Sequence, residues 1–277
     1  MYIDQLIEIA IKEDIGDGDH TSLACIPNTA KGKAHLLVKE NGIIAGVELA
    51  EKIFNRIDSS LVFKKAIEDG ESIKVGDIVF TIEGSSQSIL QAERLVLNFM
   101  QRMSGIATNT QYYVQLLKGL NTKVLDTRKT TPGLRAIEKW AVRIGGGHNH
   151  RFGLYDMIMI KDNHIDYAGG IESAINSTKK YLSEKNKNLK IEIEVRNLSE
   201  LNEVLNIGGV HRIMLDNFNY DDLRTAVKLI NGKYETEASG GINEHTIRNY
   251  AECGVDYISV GALTHQIKSL DLSLKAI

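Results

Sequence analysis

Apolar residues recur along the chain at spacings that change from one region to the next, and each spacing predicts a different element. Residues 3 to 13 set Ile3, Leu6, Ile7, Ala10 and Ile11 on one helical face. A helix should therefore run there and stop before the turn-rich GDGDHTS segment, Gly16 to Ser22. Asp17, Asp19 and His20 in that segment read as turn residues, not site residues. From Ala34 to about Leu90 short alternating runs follow one another, among them HLLVKE, GIIAGVE, FKKAIEDG and SIKVGDIVFTIEG, separated by glycine turns. This is strand texture. One stretch within it, Ala45 to Asn55, returns to helical spacing, so a small α+β sheet domain is expected.

The segment SILQAERLVLNFMQRMSGIATNTQYYVQLLKG carries Leu90, Leu95, Leu97, Met100 and Met103, with Glu93 and Arg94 on another side. It predicts a long amphipathic helix interrupted near Ser104 and Gly105, then a second helix to Leu117. A domain boundary is expected along it. Beyond residue 120 short buried-looking runs appear near 125, 158, 193, 213, 236 and 258. Between them NLSELNEVLNIG, NYDDLRTAVKLING and NEHTIRNYAECG have helical periodicity, with Asn or Ser available as caps and glycines at the ends. Repeated βα units of this length imply a parallel sheet, open or closed into a barrel. The fold class is thus α/β, a smaller amino-terminal domain followed by a complete or incomplete α/β barrel.

Composition narrows the setting. The 277 residues are 43% hydrophobic and 25% charged with a net charge of −3, enough apolar material for one large or two modest globular domains. Cys25 and Cys253 have no CxxC spacing and no histidine cluster nearby, which points to a reducing, cytosolic home. The amino terminus alternates apolar and acidic residues, unlike a secretory signal, and no run approaches the ~20 apolar residues of a membrane span. No membrane and no nucleic-acid partner is expected.

Against that slightly acidic background, Asp126 to Arg151 holds Arg128, Lys129, Arg135, Lys139, Arg143 and Arg151 but only Asp126 and Glu138 as carboxylates. Such a local cationic cluster suits a small polyanion carrying phosphates or carboxylates. The residues just after each predicted strand extend the theme: Asp126, Thr127, Arg128 and Lys129; Lys161 and Asp162; Glu194 and Arg196; Asp216 and Asn217; Ser239, Gly240 and Gly241; Gly261 and Ala262. Chemistry in βα barrels gathers at these strand ends. The SGGI and VGAL turns, each expected to lead into a helix, offer backbone amides to a phosphate.

Glu194 and Asp216 offer hard oxygens, suited to magnesium held partly through a substrate's phosphates, or else pair with the surrounding cations. Lys129 and Lys161 are either anion anchors or imine-forming amines. The neighbouring arginines, which cannot do amine chemistry, favour charge neutralisation. His148, His150 and His164 are too irregularly placed for a metal triad. Trp140 should pack its helix onto the barrel.

The stretches TRKTTPGLRAIEKWAVRIGGGHNHRFGL, IKDNHI, EVRNLSEL, IMLDNF, EASGGIN and ISVGALTH closely resemble the quinolinate phosphoribosyltransferases, the carboxylating nicotinate-nucleotide pyrophosphorylases. EDIGDGDHTS, NGIIAGVE and AERLVLNFMQRMSGIAT extend the resemblance over nearly the whole chain. It implies an amino-terminal α/β sandwich over residues 1–110, joined by the tail 266–277, and an α/β barrel over 111–265 that carries the active site. It also implies a homodimer, or a higher oligomer built from it, in which each barrel site is completed by the other subunit.

By the resemblance, Arg128, Lys129, His150, Arg151 and Lys161 would hold quinolinate together with Thr127 of the TRK loop. Arg94, rather than Arg102, would reach across the dimer. Glu194 and Asp216 would face the ribose of phosphoribosyl pyrophosphate and the Mg2+ that accompanies it, through substrate or water. Ser239, Gly240, Gly241 and Gly261 would form phosphate turns, and Lys129, Lys161, Glu194 and Asp216 would be the catalytic groups. The product would be nicotinate mononucleotide, on the route to NAD. A phosphoribosyltransferase for another carboxylated base, a lysine-dependent barrel lyase and a non-catalytic binder of phosphorylated ligands are the competing readings.

Overall fold

The computed structural model describes residues 2–277. In chain order the elements are α1 (Tyr2–Ile15), α2 (His20–Cys25), β1 (Lys31–Val38), β2 (Gly42–Ile43), α3 (Val47–Ile57), β3 (Val62–Lys65), β4 (Ser72–Ile73), β5 (Ile78–Ser85) and α4 (Ser86–Leu116). Then follow β6 (Lys123–Leu125), α5 (Arg135–Ile144), β7 (Ile158–Ile160), α6 (Asp162–Ala168), α7 (Ile171–Glu184), β8 (Ile191–Val195) and α8 (Leu198–Ile207). The chain ends with β9 (Arg212–Asp216), α9 (Tyr220–Ile230), β10 (Glu235–Ser239), α10 (Ile247–Ala251), β11 (Tyr257–Ser259), α11 (Ala262–His265) and β12 (Leu272–Ala276).

These elements form two compact units. The first comprises the residues up to Tyr112 with Thr130–Gly146 and Leu263–Ile277, and the second Tyr113–Lys129 with Gly147–Ala262. In the first unit an antiparallel sheet runs β12-β1-β5-β3, with the carboxy-terminal strand β12 on the edge of β1. The alternation in β1 buries Ala34, Leu36 and Val38 on one face, as a sheet covered on one side requires. Phe54 of α3 meets Phe80 of β5 edge-on at 5.9 Å between centroids, and Phe80 meets Phe63 of β3 at 4.5 Å. These rings lock helix to sheet. Asp69 accepts the Val47 and Glu48 amides at 2.9 and 3.2 Å and so supplies the cap that Gly46 cannot. Asp19 does the same for α2 by accepting the Ser22 amide at 3.1 Å, a structural use of the GDGDHTS turn.

Helix α4 corrects one expectation, because it runs unbroken for 31 residues through Ser104 and Gly105. A Cβ on Gly105 would lie 3.1 Å from the Lys268 carbonyl carbon and 3.2 Å from Ser269 Cα. The glycine lets the tail cross the helix instead of ending it. The buried Ser104 hydroxyl accepts the Ala45 amide at 2.9 Å and donates to the Ala45 carbonyl at 3.2 Å, which ties α4 to the turn before α3. Helix α5 lies inside the stretch expected to form the barrel domain. By contacts it clusters with the first unit, where Ile144 lies near Gly70 and Gly145 abuts Ala107 and Thr110 of α4.

In the second unit six parallel strands are ordered β6-β11-β10-β9-β8-β7, and the ladder is open between β6 and β7. They coincide with the apolar runs near 125, 158, 193, 213, 236 and 258. Helices α8 and α9 begin at Asn197 and Asn219, whose side chains accept amides of the first turn. Residues 191 to 195 are all buried, although Glu alternates with Ile and Val. The aliphatic set packs under helices while the acids face the barrel interior.

Candidate active site

The parallel register stacks the interior positions in rows. Glu192 is level with Arg212 and Arg212 with Glu235, while Glu194 is level with Met214, Met214 with Glu237 and Asp216 with Ser239. Lys161 follows β7, whose Ile160 pairs with Ile193. Lys161, Glu194, Asp216 and Ser239 therefore sit at the carboxyl ends of four neighbouring strands. Thr127, Arg128 and Lys129 leave β6 directly after Leu125 and Asp126, and Gly261 follows β11. Lys161 and Glu194 are joined by a direct Nζ–carboxylate ion pair. The His164 ring accepts the Lys161 amide at 2.9 Å and steadies the start of α6.

Asp126, fully buried, organises the HNHR segment. Its carboxylate accepts the His150 amide at 2.8 Å and the Asn149 side-chain amide, and its own amide donates to the His148 carbonyl at 3.0 Å. The segment thereby runs beside β6 and carries Arg151 toward the strand ends. Arg151 is half-buried and donates to the Met157 carbonyl at 3.3 Å. Burial depresses its guanidinium from the ordinary range, and the Arg128 guanidinium pushes the same way. Two guanidiniums close enough to repel each other form a site that an anion would relieve.

Ser239, Gly240 and Gly241 turn tightly after β10. Gly240 and Gly241 have φ of 101° and 62°, and a Cβ on Gly240 would lie 2.9 Å from the Asn217 amide nitrogen. The turn thus needs glycine. The expected helices beyond the two glycine turns are short: α10 starts only at Ile247, and α11 is a single turn after Gly261. Backbone amides of the turns, more than a helix dipole, are what a phosphate would meet there.

His150 lies deeper than the other predicted residues. Its Nε2 is 2.9 Å from Glu192 Oε2 and 3.5 Å from Glu237 Oε2, and its Nδ1 accepts the Arg151 amide at 2.7 Å. Arg212 completes the group by reaching Glu237 at 3.1 Å and Glu235 at 3.0 Å, with its guanidinium 4.1 Å from the Tyr257 ring centroid. Glu192 and Glu237 are fully buried. Burial lowers the affinity of His150 for a proton, while the two carboxylates raise it. Burial and the Glu237 charge raise Glu192 to about 7. Burial pushes Glu237 up, yet His150 and Arg212 hold it below the ordinary range. An imidazolium would need a proton on Nδ1, where the Arg151 amide already points. An Nδ1 that accepts this amide belongs to the neutral ring with its proton on Nε2, the nitrogen that faces the two carboxylates.

Arg94 and Arg102 separate cleanly. Arg102 donates from Nε and Nη2 to Glu138 Oε1 at 2.9 and 2.6 Å and from Nη2 to Thr131 Oγ1 at 2.7 Å. Arg94 is exposed and has no ion pair among the described residues.

Asp126 stood among the strand-end residues without a site role, and Glu192, Arg212, Glu237 and Glu138 were not singled out in the sequence as site residues. The signal for the barrel acids was present, because IEIE and ETE place Glu at every second position of an apolar strand. A cavity of about 370 Å³ beside β7, lined by Leu154, Met157, Ile158, Met159 and Ile160, includes Arg151 but none of Lys129, Glu194 or Asp216. Its walls are largely apolar, and it is not where the strand-end chemistry converges.

Comparison with known proteins completes the picture. Residues 19–104 match the quinolinate phosphoribosyl transferase amino-terminal domain, and residues 106–275 match the carboxy-terminal domain of the same family. A quinolinate phosphoribosyltransferase [decarboxylating] from Nicotiana tabacum is 47% identical over 98% of this chain and 81% of its own length. A probable nicotinate-nucleotide pyrophosphorylase [carboxylating] from Bacillus subtilis is 41% identical over 99% of this chain and 93% of its own. The crystal structure of NadC from Streptococcus pyogenes superposes with a TM-score of 0.93 at 40% identity, covering 99% of this chain and 97% of that one. The nicotinate-nucleotide pyrophosphorylase from Francisella tularensis gives 0.92 at 40% identity, over 100% and 96%. With the two domain models together matching residues 19–104 and 106–275 and relatives above 40% identity over nearly the whole chain, the chain belongs to the quinolinate phosphoribosyltransferase family.

Proposed function

We propose that this protein transfers the phosphoribosyl group of phosphoribosyl pyrophosphate to the ring nitrogen of quinolinate, with loss of carbon dioxide, giving nicotinate mononucleotide and pyrophosphate for NAD synthesis. Beyond family membership, the observation that carries the reading is the alignment of Lys161, Glu194, Asp216 and Ser239 at four neighbouring strand ends of the unit in which Arg128 and Arg151 lie close enough for mutual repulsion. Adjacent carboxylates on a pyridine ring would relieve that repulsion.

In this reading Arg128, Lys129, Arg151 and Lys161 neutralise the dicarboxylate, with Thr127 and His150 in the same pocket. Ser239, Gly240, Gly241 and Gly261 receive the sugar phosphate. The ring nitrogen attacks C1 of the ribose, the bond from C1 to the pyrophosphate oxygen breaks, and positive charge builds on the sugar between the two events. Glu194 and Asp216 stabilise that charge. The new pyridinium then draws electrons: the bond to the 2-carboxylate breaks, carbon dioxide leaves, the electron pair stays on the ring carbon and a proton replaces the lost group. No further cofactor is required for that step.

Glu194 and Asp216 suit magnesium only indirectly, because the Glu194 carboxylate is engaged by Lys161 while Asp216 is half-exposed on the next strand. Bound magnesium would supply charge to the pyrophosphate. The Lys161–Glu194 pair favours a lysine used for charge over one used for imine formation. We further propose a homodimer in which Arg94 of one subunit completes the barrel site of the other, working in the cytosol.

Incubation with quinolinate, phosphoribosyl pyrophosphate and Mg2+ tests the assignment. Nicotinate mononucleotide and carbon dioxide should appear in equal amounts. Their absence from folded, dimeric protein overturns the assignment, and turnover of a different carboxylated base alone would move it to the neighbouring specificity. A borohydride-trapped adduct at Lys161 would favour a lyase.

A further inference from the structure

We propose that Glu192 and Glu237, braced by Arg212 from the opposite end of the barrel, are positioning residues that set Arg151 through His150; this rests on the reading of Arg151 as a substrate cation. The contacts form one line. Arg212 grips Glu237 at 3.1 Å, the two carboxylates face Nε2 of His150 at 2.9 and 3.5 Å, and Nδ1 of the same ring accepts the Arg151 amide at 2.7 Å. A free imidazole has two tautomers and can flip. Here the carboxylate charge, 2.9 Å away at its nearest though not aligned for a hydrogen bond, draws the ring proton to Nε2; Nδ1 is then an acceptor and fixes the backbone from which the Arg151 guanidinium projects.

Stability alone does not call for this arrangement. Barrel interiors are ordinarily filled by branched aliphatic side chains. Exchanging a buried ionic group for well-packed apolar residues is often neutral or stabilising. Yet β8 and β10 place fully buried acids where an aliphatic layer would fit, and both converge on the residue next to a pocket cation. Asp126 fixes the His150 amide from the other side at 2.8 Å, so backbone and ring are held independently.

A histidine with two carboxylates, whose ligand atoms lie within 4.8 Å of one another, is also a metal-ligand set. The Arg212 charge argues for a proton in its place. Ionised Glu237 and Arg212 already balance, and a divalent ion would leave buried positive charge.

The test uses the full-length enzyme. Nitrogen NMR of the His150 ring, assigned by its loss in His150→Asn, should show a lone pair on Nδ1 and a proton on Nε2 in the unmutated protein. Glu237→Gln and Glu192→Gln are made in parallel, so that the failure of either to fold leaves the other. Each should mix the tautomers. Each should also raise the quinolinate KM by about fivefold or more while the KM for phosphoribosyl pyrophosphate changes by less than about twofold, since a misplaced group can cost up to about a hundredfold. A proton on Nδ1 in the unmutated enzyme, an equal rise in both KM values, or an unchanged quinolinate KM in the folded variants overturns the proposal. Stoichiometric metal that survives gel filtration and is lost in His150→Asn overturns it too. Lack of quinolinate turnover by the unmutated protein would count against the assigned reaction, and the ring tautomer would still decide this proposal.

Discussion

Removing Arg102 should destabilise the protein far more than removing Arg94, although both lie on α4. Arg102 presents two donors to Glu138 Oε1 at 2.9 and 2.6 Å, and the Glu138 side chain is fully buried while that of Arg102 is 25% exposed. In Arg102→Ala the carboxylate keeps the Thr131 amide at 3.2 Å, a bond too weak to carry a buried charge alone. Stranding one member of a buried ion pair costs about 3–5 kcal/mol. At roughly 2 °C or more per kcal/mol for a chain of this size, the melting temperature should fall by about 6 °C or more.

The double variant Arg102→Met/Glu138→Leu removes both charges and should recover most of the loss. The remaining deficit is about 1 kcal/mol for the Thr131 amide left without its acceptor. Differential scanning fluorimetry of the unmutated protein, both single variants and the double variant closes the cycle. A drop of less than about 2 °C in Arg102→Ala, or a double variant no better than the single one, would refute the view that this pair is held by desolvated charge. Arg94→Ala should leave the melting temperature within about 1 °C, because an exposed side chain without an ion pair contributes little.

Gly105→Ala puts a methyl group against the Lys268 and Ser269 backbone; the clash, about 1–3 kcal/mol, should exceed the helix gain of about 1 kcal/mol, and an unchanged or raised melting temperature would show that the tail can yield. Lys129→Ala and Arg151→Ala should each lower kcat/KM for quinolinate by about a hundredfold or more with little change in melting temperature, and near-normal kinetics in both would remove them from the pocket. Inactive Arg94→Ala mixed with inactive Lys161→Ala should regain activity on subunit exchange; no rescue after verified exchange would argue against a shared site. EDTA should abolish turnover and Mg2+ restore it, whereas full activity in chelator would exclude the indirect metal role of Glu194 and Asp216.

The barrel strands were readable because each is a short apolar run ending in a residue of distinct chemistry, so strand ends and site residues could be located together. Asn197 and Asn219 likewise announced the starts of α8 and α9. What the sequence hid depends on partners distant in the chain. Gly105 looks like a helix breaker until Lys268 is seen lying over it. The buried acids escaped notice for a related reason. An alternating strand normally exposes its polar face, and only a closed or nearly closed sheet turns that face into an interior where Glu192 can meet His150 and Glu237 can meet Arg212.

The acids behind the cationic rim fall into two kinds, and the difference bears on how a cationic pocket can exist before its substrate arrives. Like charges such as Arg128 and Arg151 repel, so the empty site needs negative charge nearby; yet acids paired too firmly would compete with the incoming dicarboxylate. Glu192 is fully buried, cannot leave, and acts on Arg151 through His150. Glu194 instead pairs with Lys161, whose side chain is 42% exposed, and a partly solvated pair exchanges partners at small cost. When a substrate carboxylate takes Lys161, Glu194 would be released toward the ribose, where positive charge develops. The binding of one substrate would thus arm the group that serves the other, with Glu192 and Glu237 holding the frame still while it happens.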